Sequence, residues 1–181
     1  MTVEEAFAAA PLGPGARLVT VLAALTAVGG AALVVLSLPR GLAVLVGAPS
    51  LLVVLIALPL AFSPSGYAVG RAELAVLRRA ARPLLFPLGS LVAARPTAMP
   101  RSYRLLGSGG LFGWWGRFSN PRGWGRFKAY ATDRRRGVLL EWPGFRLFVS
   151  PEDPQALCRA VLARRHRAGG PGAARRQGRR P

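Results

Sequence analysis

The sequence predicts a membrane α-helical hairpin followed by a mainly-β unit that a C-terminal α-helix completes. Three observations carry that expectation. Leu18–Leu38 and Leu42–Phe62 are 21-residue stretches without a charged side chain, separated only by Pro39-Arg40-Gly41. After Ser63-Pro64-Ser65 the apolar period changes from helical to two, as in half-buried strands. Near the end, Ser150-Pro151-Glu152-Asp153 opens a helical pattern with capping residues in place.

Residues 1–17 are weakly acidic and rich in Ala, Pro and Gly, and are expected to form a flexible leader. Glu4 and Glu5 precede the apolar run, the run is too long for the core of a secretory signal, and a second run follows at once, so a signal peptide is excluded. At the helical rise, 21 residues extend roughly 31 Å, the thickness of a bilayer's hydrocarbon core. Residues 18–62 are therefore expected to cross a membrane twice, with Gly29, Gly30, Ala31 and Ala32 allowing close helix approach. Gly47, Pro49 and Pro59 would kink the second helix. Arg71, Arg78, Arg79 and Arg82 follow the second run and Arg17 flanks the first, against Arg40 alone in the turn. That bias places both termini in the cytoplasm of a two-pass protein of the cell membrane.

From residue 66 the strands are expected at Gly66–Val69, Glu73–Arg78 and Pro83–Leu88, with a fourth over Gly89–Ala93. Arg95–Asn120 loses its period among Gly, Pro and aromatic residues. Arg126–Thr132 regains it, with Phe127, Ala129 and Ala131 on one face and Arg126, Lys128 and Tyr130 on the other. Asp133–Gly137 reads as a turn and Val138–Trp142 as a strand. Pro143-Gly144 suits the centre of a type II turn, and Phe145–Val149 completes a hairpin. Ser150 is the expected N-cap of a helix that places Ala156, Leu157, Ala160 and Val161 on one face. Residues 66–167 thus form one domain, and 168–181 a disordered basic tail of Gly, Pro and Arg.

The formal charge is +18, and residues 63–167 alone carry 19 basic against 5 acidic side chains. Such a balance suits anionic lipid or nucleic acid. It also suits a GC-rich coding background, since 24 of the 25 basic residues are Arg.

About seven short strands and one capped helix form the outline of a pleckstrin-homology-type (PH-like) barrel. The residues resemble a bacterial PH-like domain family that often follows two transmembrane helices. The resemblance rests on Gly107-Ser108-Gly109-Gly110-Leu111-Phe112-Gly113-Trp114-Trp115-Gly116-Arg117-Phe118, on Arg126-Phe127-Lys128-Ala129-Tyr130-Ala131-Thr132-Asp133, and on Val149-Ser150-Pro151-Glu152-Asp153-Pro154. It covers roughly Gly66 to Leu162 and implies a mainly-β barrel capped by its C-terminal α-helix. The connection Gly70-Arg71-Ala72 is too short for the basic phosphoinositide loop of eukaryotic PH domains.

Gly107–Gly116 lacks the Lys-Ser/Thr ending of a phosphate loop, and Phe112 breaks the dinucleotide spacing, so a tight aromatic loop against the barrel is the expectation. Trp114, Trp115, Arg117, Trp124 and Arg126 interleave aromatic and basic side chains. They are candidates for an interfacial or partner-binding surface, or for packing inside the barrel. Arg78, Arg79 and Arg82 are the candidates for anionic lipid headgroups. Arg134-Arg135-Arg136 falls in a turn and is expected to be solvated. His166 and Cys158 stand alone, so no catalytic, cofactor or metal site is expected, and Cys158 reads as a small core residue. The expected role is a membrane-anchored binding or scaffolding module that contacts a membrane protein, anionic lipid or both. A membrane-anchored nucleic-acid-binding domain is the less favoured alternative.

Overall fold

The computed structural model describes residues 3–36 and 56–168. In chain order these form β1 (Val3–Ala8), α1 (Pro14–Leu36), α2 (residues 56–62), β2 (Pro64–Gly70), β3 (Glu73–Arg78), β4 (Leu84–Pro87) and β5 (Ala93–Thr97). Next come β6 (Tyr103–Gly110), β7 (Gly113–Asn120), β8 (Gly125–Ala131), β9 (Gly137–Trp142), β10 (Phe145–Val149) and α3 (Pro154–Ala168). The strands form a four-stranded sheet in the order β1-β2-β3-β4 and a six-stranded sheet in the order β5-β9-β10-β8-β7-β6.

Alternation builds the main core. Tyr67 and Val69 of β2 and Leu74 and Val76 of β3 meet Val138, Leu140, Leu147 and Val149 of the other sheet. Leu157, Cys158, Ala160 and Val161 of α3 join the same cluster. Burial pushes the Cys158 thiol up to about 11. The outer face of the six-stranded sheet is also covered. There Trp114, Phe118, Phe127, Ala129, Ala131 and Phe148 pack with Ala16 and Met99. Phe148 shares the alternation of Arg146 in β10 yet is fully buried, because this sheet has apolar cover on both sides.

A buried polar knot joins the two sheets. The Tyr67 hydroxyl donates to the Tyr130 carbonyl at 2.7 Å and accepts from the Ser150 amide at 3.0 Å. The Ser150 hydroxyl accepts from the Thr132 amide at 2.7 Å, and Thr132 Oγ1 donates to the Ala10 carbonyl. Each group finds a partner, as burial requires. Burial raises the Tyr67 phenol to about 12, against the opposing pull of its bonds from Ser150. Ser150 is thus a core hydrogen-bonding residue. The helix N-cap is Asp153, whose Oδ1 accepts from the Ala156 amide at 2.9 Å, with Pro154 at the first helical position.

Four expectations are corrected. The membrane α-helical hairpin is not borne out, because no helix among the described residues is long and apolar enough to cross a membrane. Both ends of the uncharged run are instead engaged by the β domain. α1 starts at Pro14, its Ala16 is fully buried against the six-stranded sheet, and Thr20 Oγ1 accepts from the Phe112 amide at 3.1 Å. At the other end the Phe62 and Trp115 rings lie 5.7 Å apart, and Ser63 donates to the Leu60 carbonyl. The turn at residues 39–41, most of the second predicted span and the tail beyond 168 lie outside the described residues.

The closed barrel is the second correction: the two sheets do not join. β4 is four residues long and ends at Pro87, which lacks a donor. The chain turns at Leu88–Leu91, and β5 pairs with β9 instead of β4. In this turn residues 89–92 are not the expected fourth strand, which begins at Ala93. Thirdly, residues 3–8 of the expected leader form β1, antiparallel to β2. Glu4 receives Arg71 Nε at 3.0 Å and Arg164 Nε at 3.1 Å, and Arg164 also reaches Glu5 at 3.0 Å. The two acids that make this stretch look solvated are the groups that clamp it to the domain. Fourthly, Gly107–Gly116 is a strand hairpin, not a loop. Gly107 pairs with Gly116, both at positive φ, and a Cβ on either would lie 2.0 or 2.1 Å from the opposite carbonyl. Only glycine permits that approach.

Candidate functional site

The antiparallel pairing of β7 with β8 sorts their side chains onto two faces. Phe118 lies opposite Phe127 and Trp114 opposite Ala131, and these fill the outer apolar cluster. On the other face, Trp115 lies opposite Tyr130, Arg117 opposite Lys128, and Ser119 opposite Arg126. Leu106 of β6 extends this row beside Arg117. Part of the inner face of an open sandwich is thus basic where continued apolar packing would have closed it.

Arg117 and Lys128 are like charges placed directly across a strand pair, an arrangement that costs stability. Among the described residues, neither they nor Arg126 has an ion-pair partner. Glu141, the acid of β9, is occupied by Arg95 and Arg146, both at 2.9 Å. Lys128 Nζ sits 6.0 Å from the Phe86 ring centre and 5.8 Å from that of Phe145, so its charge lies against aromatic faces. Burial raises the Tyr130 phenol, and the charges of Arg78 and Arg117 pull it back down. Arg78 of β3 therefore belongs to the same electrostatic neighbourhood. Arg117, Arg126 and Lys128 line a hollow of about 600 Å³ with Leu105, Leu106 and Phe145. Among the described residues, the Trp115 indole N–H is a buried donor without an acceptor.

The structure divides the candidates named from sequence. Trp115, Arg117 and Arg126 come together on this face. Trp114 is buried on the opposite one, with the Arg134 guanidinium 5.9 Å from its ring. Trp124 packs edge-on to Phe127 and against Phe148. Arg78 is half-buried, donates through Nε and Nη2 to the Arg82 carbonyl, and lies 5.3 Å from the Phe62 ring. Arg79 and Arg82 are exposed in the turn beyond it. Sequence reasoning missed Lys128 as a site residue. Two signals pointed to it: it is the single lysine of the chain, and it alternates with Arg126 and Tyr130.

Comparison with known proteins gives one finding. No curated protein and no solved structure matches the chain. The family model of the bacterial PH domain matches residues 92–165, which run from just before β5 into α3 and take in the whole basic face of β7 and β8. That match supports a PH-like β fold, and with it a binding or scaffolding module, for this part of the chain.

Proposed function

We propose that the chain is a binding module whose basic inner face receives anionic headgroups at the cytoplasmic surface of a membrane. One observation carries the reading: Arg117 and Lys128 stand opposite each other, without an ion-pair partner among the described residues, and with Arg126 they line one hollow. A fold that places like charges together at a cost in stability gains by it when an anion arrives between them. Each base near an anionic leaflet contributes roughly 1 kcal/mol, so the three together supply on the order of 3 kcal/mol. The nucleic-acid alternative is weaker. It needs aromatic faces free for base stacking, whereas Trp114 is buried and Trp124 is packed on two Phe rings.

The test compares partition of the full-length chain into phosphatidylglycerol and phosphatidylcholine vesicles. Arg117→Glu with Lys128→Glu should lower the preference for the anionic vesicles at least tenfold. Arg79→Glu with Arg82→Glu should lower it less. An unchanged preference in the first double variant overturns the reading.

A further inference from the structure

The two sheets have four outer edges, and three of them are blunted. β5 carries Pro96 and is packed by α3, and Arg165 donates to the Val92 carbonyl at 2.6 Å beside it. β4 has four residues, follows Pro83 and ends at Pro87. β1 bears Glu4 and Glu5, held by Arg71 and Arg164. Proline, shortness, charge and cover are the usual ways in which a fold protects an unpaired strand.

β6 is the least protected of the four, with one charge, Arg104, and one bulge. It is eight residues long, contains no proline and lies at the end of the six-stranded sheet. Tyr103, Leu105 and Leu106 are 74%, 54% and 67% exposed. A register shift between Arg104 and Leu106 marks a bulge, which here leaves two consecutive leucines facing solvent. α1 meets the far end of the strand, where Val19 lies against Gly110. Basic side chains surround the exposed part. A hollow of about 570 Å³ beside Tyr103 is lined by Arg101, Arg122 and Asn120. The hollow of about 600 Å³ beside Leu105 and Leu106 holds Arg117 and Arg126. Among the described residues, Arg101, Arg104 and Arg122 have no ion-pair partner.

We infer that the outer edge of β6 is a docking strand for an extended segment of a partner protein in which acidic and apolar residues alternate. Main-chain hydrogen bonds to the edge supply the pairing, and alternate side chains enter the hollows and meet the arginines. A second copy of this chain suits the edge poorly. Pairing two β6 strands would bring together arginine-rich rims of a chain whose net charge is +18. Docking differs in kind from lipid contact, since it pairs main chain along the edge of the sheet, but its second hollow shares Arg117 and Arg126 with the proposed headgroup face.

The test uses the full-length chain and the fluorescein-labelled peptide acetyl-Glu-Val-Glu-Leu-Glu-Val-Glu-amide. Anisotropy should show saturable binding, and hydrogen exchange should slow at the amides of residues 103–107. Leu105→Lys with Leu106→Lys, both at exposed positions, should weaken binding roughly tenfold or more at unchanged melting temperature. A peptide with Pro for its central Leu should fail to bind. Absence of binding at millimolar peptide overturns the inference. So does equal binding of the proline peptide, which would show charge attraction alone. Self-association that the double lysine variant abolishes would assign the edge to a second copy instead.

Discussion

Reversing the charge of Arg117 should stabilise the protein while it weakens anion binding. Arg117 faces Lys128 directly across β7 and β8, and no acid neutralises either among the described residues. A directly opposed like-charge pair costs roughly 0.2–1 kcal/mol, and an opposed unlike pair gains a similar amount. Arg117→Glu exchanges one for the other, so about 1 kcal/mol is expected after screening at this exposed position. For a chain of this size that raises Tm by about 2–4 °C. Lys128→Glu should act in the same direction, and the double reversal should return to the starting stability, because two carboxylates then face each other. Chemical denaturation of the four proteins gives the cycle directly. Arg122→Glu makes the same change in net charge at an exposed position off this pair, and should have a smaller effect. Arg117→Glu should also raise the Tyr130 phenol further, because the charge that draws it down is gone. A loss of stability in the single variants, or additive gains in the double, would refute the claim that these two charges oppose each other.

Other outcomes follow from the same structure. Arg71 and Arg164 hold the Glu4 carboxyl below the usual carboxylate range. Its contribution is thus present above the unfolded-state value and lost as pH falls through the folded one; Glu4→Gln should destabilise at neutral pH, with the gap closing in acid. A gap that persists in acid would show that the ion pairs do not hold β1. Gly144 has φ +81° with open space around it, so Gly144→Ala should cost about 1 kcal/mol through the backbone alone. Gly107→Ala meets the Trp115 carbonyl as well as a positive φ and should cost several times more; equal costs by denaturant titration would show that β6 and β7 do not approach so closely.

Elements with a strong local period were legible from sequence. β3 lies where Glu73–Arg78 was expected, and Gly144 turns the hairpin before Phe145. The buried row Phe127, Ala129, Ala131 and the core place of Cys158 also agree. The losses have physical causes. β6 and β7 were hidden because glycine at 107, 109, 110, 113 and 116 supplies no side chain for an alternating pattern. β1 was hidden because its acids find partners 67 and 160 residues away, at Arg71 and Arg164. The apolar run after Leu18 shows its length and lack of charge, and neither reveals that Ala16, Thr20 and Phe62 pack on the sheet. Of the candidate site, the aromatic and basic interleaving was visible, but not its division between two faces. That division follows from the strand register, which sets Arg117 against Lys128 and sends Trp114 to the other side.

The single lysine offers the most direct test of the proposed binding face. Reductive ¹³C-methylation keeps the charge of Lys128 and gives it a side-chain signal distinct from that of the terminal amine. Titration of the full-length chain with dihexanoyl-phosphatidylglycerol below its micelle concentration should shift that signal saturably. Dihexanoyl-phosphatidylcholine should leave it in place, and Arg117→Glu should weaken the response to the anionic lipid. A Lys128 signal that ignores the anionic lipid, or answers both lipids alike, would contradict the claim that this face receives anionic headgroups.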